Sequence, residues 1–211
     1  DRSVSRGLGD VYKRQVVSCS EKEKLNILWI GTMEARKMPN IVLDVVLKMK
    51  EVSHVVFHMI GGGPLLPWFR NSIQKHGLEA NFVVYGQVPR ERIFNLLPDF
   101  DIHIITSLLE ANTTVIWETM SWGIPTISLD HFGMADVIND SCGIKIPVKS
   151  YGQVVNCLAA TLDNLSLNPE KILQLKKGVY QSAVKYTWNN RIDFYESCYK
   201  KAIMNFTSKS K

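Results

Sequence analysis

The passage LNILWI (25–30), GTMEARKMPN (31–40), IVLDVVLKM (41–49) decides the fold. Its first part is an apolar run of strand length, its last carries apolar residues at helical spacing, and the polar, proline-containing part between them is a turn. The unit repeats outward along the chain. Apolar runs at 55–60, 82–85, 102–106, 126–129 and 143–146 read as strands, and 65–76, 90–97 and 114–122 as helices between them. This alternation predicts the α/β class: a doubly wound parallel sheet, Rossmann-like, with right-handed crossovers and helices on both faces. Three later helical stretches, 154–165, 170–184 and 189–202, are expected to cap the sheet, with Trp188 and Tyr195 as packing anchors. Ligands of such sheets bind beyond the carboxyl ends of the strands, so the loops after each run are where chemistry is sought.

Composition agrees with one globular domain: 211 residues, 45% hydrophobic and 21% charged. A net charge of +5, carried in part by Arg2, Arg6, Lys13 and Arg14, is no nucleic-acid signature. Residues 1–15 lack strand or helix periodicity and are expected to be a non-native or disordered leader, with one domain over 16–205 and a flexible basic tail over 206–211. Lys200, Lys201, Lys209 and Lys211 allow peripheral contact with an anionic membrane. Cys19, Cys142, Cys157 and Cys198 are scattered and read as reduced thiols of a cytoplasmic protein. No apolar run reaches the ~18 residues a spanning helix needs, so any membrane association is expected to be peripheral, at the inner face. His54, His58, His76, His103 and His131 have no metal-ligand spacing; packing roles are expected and no metal site.

The loops hold the candidate chemistry. Glu110 and Glu118 bracket EANTTVIWE, where Asn112, Thr113 and Thr114 turn a strand loop into a helix. The free amides of Asn112, Thr113, Thr114 and Val115 can be capped by those polar side chains or can bind a phosphate. Glu118 lies one turn on, in a run otherwise apolar through Ile116, Trp117 and Met120. Its carboxylate is either paired with a cation or supplied with donors such as the adjacent hydroxyls of a ribose. Glu110 is either a solvated loop acid or a contact for a sugar beyond the phosphates. Lys37, beside Arg36, ends the loop opened by Gly31 and Thr32 and could balance the charge of a diphosphate leaving group. Gly61, Gly62 and Gly63 permit a close backbone approach, but Leu66 stands where a dinucleotide fingerprint needs glycine, which disfavours an NAD-dependent oxidoreductase. Asp130 and His131 have no Gly-x-Ser-x-Gly nucleophile to serve, so acyl hydrolysis is set aside.

In order, IGTMEARK (30–37), MIGGGP (59–64), VYGQVPRERI (84–93), DIHIITSLLEANTTVIWETMSWGIPTIS (101–128) and the glycine-containing turn at 131–135 resemble the C-terminal, donor-binding lobe of a GT-B glycosyltransferase of the retaining family four. The resemblance covers about residues 25–148, and its strongest element is the Glu-x7-Glu pair with Gly123 and Pro125 behind it. It implies that Glu118 holds the ribose, Glu110 the donor sugar, Lys37 and the amides of 112–115 the phosphates. It further implies that Gln87, Val88 and Pro89 lie against the base, and that Gly133, Met134 and Ala135 lie near the phosphates and sugar. Thr32 stands where the family often has arginine, which leaves Arg36 to compensate charge. The family has a second, acceptor-binding N-terminal lobe that these residues do not supply.

The resemblance implies a retaining, hexosyl-type glycosyltransferase using a nucleotide-diphosphate-sugar donor, no cofactor or metal, and an unknown glycan or lipid-linked acceptor in polysaccharide or glycoconjugate biosynthesis. The isolated lobe is expected to be inactive or weak. A sugar-nucleotide epimerase of the same fold and a non-catalytic nucleotide-binding module are the alternatives.

Overall fold

The computed structural model describes residues 24–110 and 114–209. The leader 1–15, Cys19, Asn112 and Thr113 therefore lie outside the described residues, as does the side chain of Trp188. Six strands form one parallel sheet: β1 (Leu25–Ile30), β2 (Val55–Ile60), β3 (Phe82–Gly86), β4 (Ile102–Ile105), β5 (Thr126–Leu129) and β6 (Gly143–Ile146), in the order β3-β2-β1-β4-β5-β6. Register follows the apolar pattern, with Ile27 opposite Phe57 on one side and Ile102 on the other. The order reverses between β1 and β4, so the loops after those two strands diverge and leave a crevice. The doubly wound expectation is met.

Alternation along β1 shows why both faces need helices. Leu25, Ile27 and Trp29 join a core formed with α1 (Pro39–Lys48), α2 (Leu66–His76) and α6 (Tyr151–Ser166). Leu28 and Ile30 face the other way, toward Leu97, Phe100 and residues of α3 (Arg90–Leu96). On that second face α4 (Thr114–Ser121) and α7 (Pro169–Ala183) pack through Ile116, Met120 and Val179. Each fully buried aliphatic or aromatic side chain contributes about 1.5–3 kcal/mol. Gly123 ends α4 at φ 70°, and a Cβ there would stand 2.4 Å from the Tyr180 ring, so α7 seats directly on this turn.

Three expectations are corrected. The turn at 131–135 is largely helical, as α5 (Phe132–Val137), because Met134 and Ile138 pack into the second-face core. Residues 206–209, expected as tail, belong to α8 (Trp188–Lys209), a helix with no Gly or Pro to stop it and with a Glu196–Lys200 pair one turn apart. Tyr195 is 48% exposed and its ring neighbour is Phe194 on the same helix, while Tyr180 and Tyr186 do the packing. Ile192, Tyr199, Ile203 and Phe206 are exposed along the same helix.

His103 and His58 pack as expected, whereas His54 and His76 are exposed. His103 is wholly buried in β4, with Nδ1 3.2 Å from Thr126 Oγ1. His58 bridges Asn26 and Tyr85, at 3.1 Å from each. His54 precedes β2 in a short 3-10 turn instead of sharing the strand. Among the described residues no helix is long and apolar enough to cross a membrane.

Candidate functional site

The crevice between β1 and β4 is built from the core outward. Trp29 Nε1 donates to Thr106 Oγ1 at 3.0 Å, and that hydroxyl donates to the Lys37 carbonyl at 2.7 Å. Leu108 N donates to the Arg36 carbonyl at 3.0 Å. These bonds hold the loop after β1 against the loop after β4. Lys37 Nζ therefore meets Glu110 Oε1 in an ion pair whose side chains are only 15% and 10% exposed. Arg36 is more open, at 46%; one of its nitrogens lies 3.5 Å from Glu110 and the other 2.7 Å from Glu34. Met38, immediately after Lys37, is left-handed at φ 49° and turns the chain into α1.

The glycine loop closes the side toward β2. Met33 N donates to Gly62 O at 2.8 Å, and a Cβ on Gly61 would stand 1.8 Å from the Gly31 carbonyl oxygen at a backbone φ of 142°. Only glycine admits that approach. Gly31 N is bonded to Ile60 O at 3.0 Å, and Thr32 is exposed at the rim. Gln87 is exposed and near Gly62, whereas Val88 packs half-buried against the second-face core.

Glu118, on α4, is 18% exposed and accepts from Arg90 at 2.6 Å. Of the two readings left open for this acid, the structure shows pairing with a cation. Arg90 was missed in the sequence, where it reads as a first-turn helix residue; its signal was its place in the loop after β3. Its own exposure of 69% leaves it free to move. Thr114 is exposed at the start of α4 and Val115 half-buried behind it.

On the β5 side, Gly133 N donates to the Glu110 carbonyl at 3.3 Å, which brings this loop to the crevice. The side chain of Met134 is 3% exposed and belongs to the core with Ile105 and Ile116, because it lies on the inner face of α5. Phe132 is left-handed at φ 51°, which costs a non-glycine residue about 1–2 kcal/mol. His103, beneath the site, has its pKa pushed down to about 3, first by burial and then by the Lys37 charge. It is therefore a neutral core group. Among the described residues no group of three His, Cys, Asp or Glu side chains could hold a metal.

Glu110, Lys37, Arg36 and Gly133 thus converge with Gly31 beside Lys37, Glu118 and Arg90 pair between α4 and α3, and Gln87 meets Gly62 at the glycine loop. The model of the glycosyl transferases group 1 family matches residues 13–182. The chain belongs to that family. Among its curated relatives in sequence is the phosphatidylinositol N-acetylglucosaminyltransferase GPI3 subunit of Saccharomyces cerevisiae, 28% identical over 119 residues, 56% of this chain and 26% of that protein. Another is a 41.2 kDa protein in the cps region of Klebsiella pneumoniae, 26% identical over 71% of this chain and 41% of the relative. The chain thus spans well under half the length of these relatives. Among solved structures, the pneumococcal O-GlcNAc transferase GtfA in complex with UDP and GlcNAc superposes with a TM-score of 0.72 at 18% identity, over 86% of this chain and 36% of that one. At that identity the likeness establishes the shared group 1 fold alone.

Proposed function

We propose that this chain is the donor-binding lobe of a retaining hexosyltransferase that takes its sugar from a nucleoside diphosphate. The observation that supports this best is the half-hidden Lys37–Glu110 pair at the point where the strand order reverses. A cation and a carboxylate held there by backbone bonds suit a ligand that carries a diphosphate next to a polyhydroxyl ring. Lys37 would stabilise the negative charge that grows on the departing diphosphate, with Arg36 beside it and the amides at 112–115 supporting the distal phosphate. Glu110, released from Lys37, would accept from sugar hydroxyls. Glu118 would accept from both ribose hydroxyls once Arg90 swings away, and Gln87 and Val88 would border the base. This division follows the family resemblance, and the paired acids are consistent with it. No cofactor is called for, since the donor is itself the substrate.

The names of the relatives suggest N-acetylglucosamine as the first sugar to test and a glycan or lipid-linked acceptor in polysaccharide or glycoconjugate synthesis. The acceptor would lie against a second lobe, so this lobe alone should bind donor but transfer poorly. The place of work would be the cytoplasm, with peripheral contact at the inner membrane face. Isothermal titration with UDP, GDP and UDP-GlcNAc tests the reading. Binding of at least one, weakened about tenfold or more in Lys37→Ala and Glu118→Ala, is expected from loss of a charge-assisted bond. No binding of any, or unchanged affinity in both variants, overturns it.

A further inference from the structure

His131 and Phe132, adjacent in the loop that joins β5 to α5, are both held against their own preferences. Phe132 adopts φ 51°, unusual for a bulky residue, and its ring is 53% exposed, so burial does not compensate the strain. His131 hides both ring nitrogens from solvent, and among the described residues neither has a hydrogen-bond partner. The two rings are 4.8 Å apart and tilted by 54°. Buried polar nitrogens are ordinarily paired, and local strain of this kind gathers where a ligand is handled.

The rest of the loop is pinned. Lys145 reaches Asp130 at 3.5 Å and the Ala135 carbonyl at 3.2 Å, Met134 is buried, and Gly133 N is bonded to the carbonyl of Glu110. Only the side chains of His131 and Phe132 are left to respond, and their neighbour Gly133 is bonded to the acid assigned above to the donor sugar.

We infer that His131 is a sugar-binding residue: its imidazole is covered by Phe132 and hydrogen-bonds a hydroxyl of the donor sugar when the Phe132 ring turns aside. The inference rests on the donor-lobe reading. An uncharged imidazole presents one N–H donor and one acceptor nitrogen, which matches a hydroxyl that both gives and takes a proton. A diphosphate only accepts and has Lys37 and the start of α4 to meet it. The exposed Phe132 ring can change rotamer without disturbing the core, whereas any larger motion of the loop would have to extract Met134.

The test is isothermal titration of UDP and of UDP-GlcNAc into the wild type and into His131→Ala, His131→Gln and Phe132→Gly, with the melting temperature of each. His131→Ala should weaken UDP-GlcNAc by about fivefold, the effect of one lost hydrogen bond, while leaving UDP unchanged. His131→Gln, which keeps a donor and an acceptor, should recover part of that loss. Phe132→Gly should melt higher than the wild type and bind UDP-GlcNAc at least as tightly. Equal effects of His131→Ala on both ligands, or none on either, overturn the inference while wild-type binding of UDP leaves the donor-lobe reading standing. A Phe132→Gly protein that melts lower assigns the ring to folding and also overturns it. A wild type that binds neither ligand overturns both.

Discussion

Lys37 and Glu110, separated by 73 positions in the chain, neutralise one another in the crevice. A diphosphate must compete with Glu110 for the ammonium group. Glu110→Gln removes the competitor and keeps the shape, so UDP should bind about threefold to tenfold more tightly, while Lys37→Ala weakens it. Titration of both variants at one salt concentration checks the opposite signs.

Arg90 and Glu118 make a second ion pair, at 2.6 Å. Because Arg90 is largely exposed, their pair adds little to folding, and Arg90→Ala should shift stability by no more than about 0.5 kcal/mol in denaturant unfolding. Freed of its partner, Glu118 should hold ribose at least as well. A marked loss of UDP affinity in Arg90→Ala would instead make the arginine a direct phosphate ligand.

Gly61 and Gly62 are neighbours with opposite tolerances. Alanine at Gly61 drives its Cβ into the Gly31 carbonyl in a left-handed backbone, and the loss should reach about 3 kcal/mol or prevent folding. Alanine at Gly62 meets Gln87 Cβ at 3.4 Å, an ordinary contact, and should stay within about 1 kcal/mol. Thermal unfolding of the two single variants separates close approach from mere flexibility.

His103 gives stability a pH dependence. The unfolded chain takes up its proton near pH 6.5 and the folded chain not until about pH 3, so across this window the unfolded state binds more protons and stability rises with pH. Stability at pH 5 should be about 2 kcal/mol below that at pH 7 on this account alone. In His103→Leu the same comparison by urea titration should be flatter by that amount.

Much of this was legible in the amino acids. All six strands lie where apolar runs predict them, and Gly123 ends α4 where the sequence ends it, because a strand buried on both faces must be apolar throughout. The acids and Lys37 were visible as polar residues just after such runs. What escaped has a common cause: it depends on contacts between distant segments. Arg90 is one charged residue among RERI until Glu118 is placed beside it. Met134 reads as loop until Ile105 and Ile116 supply a floor for it. Tyr195 reads as a core aromatic by chemistry, yet α8 finds no surface for it among the described residues. The strain at Phe132 has no sequence signature, since nothing about Phe-Gly demands a left-handed first residue.

The bonds running from Trp29 through Thr106 to the Lys37 carbonyl bear on how this lobe could be altered. The backbone carbonyl of Lys37 is placed, through Thr106, by an indole in the interior, so the start of this side chain is inherited from the sheet. An engineer seeking a different sugar therefore has two unequal territories. On the inference above, positions 131 and 132 are the ones to vary, whereas the buried Trp29 and Thr106, which hold the Lys37 backbone, are to be left untouched.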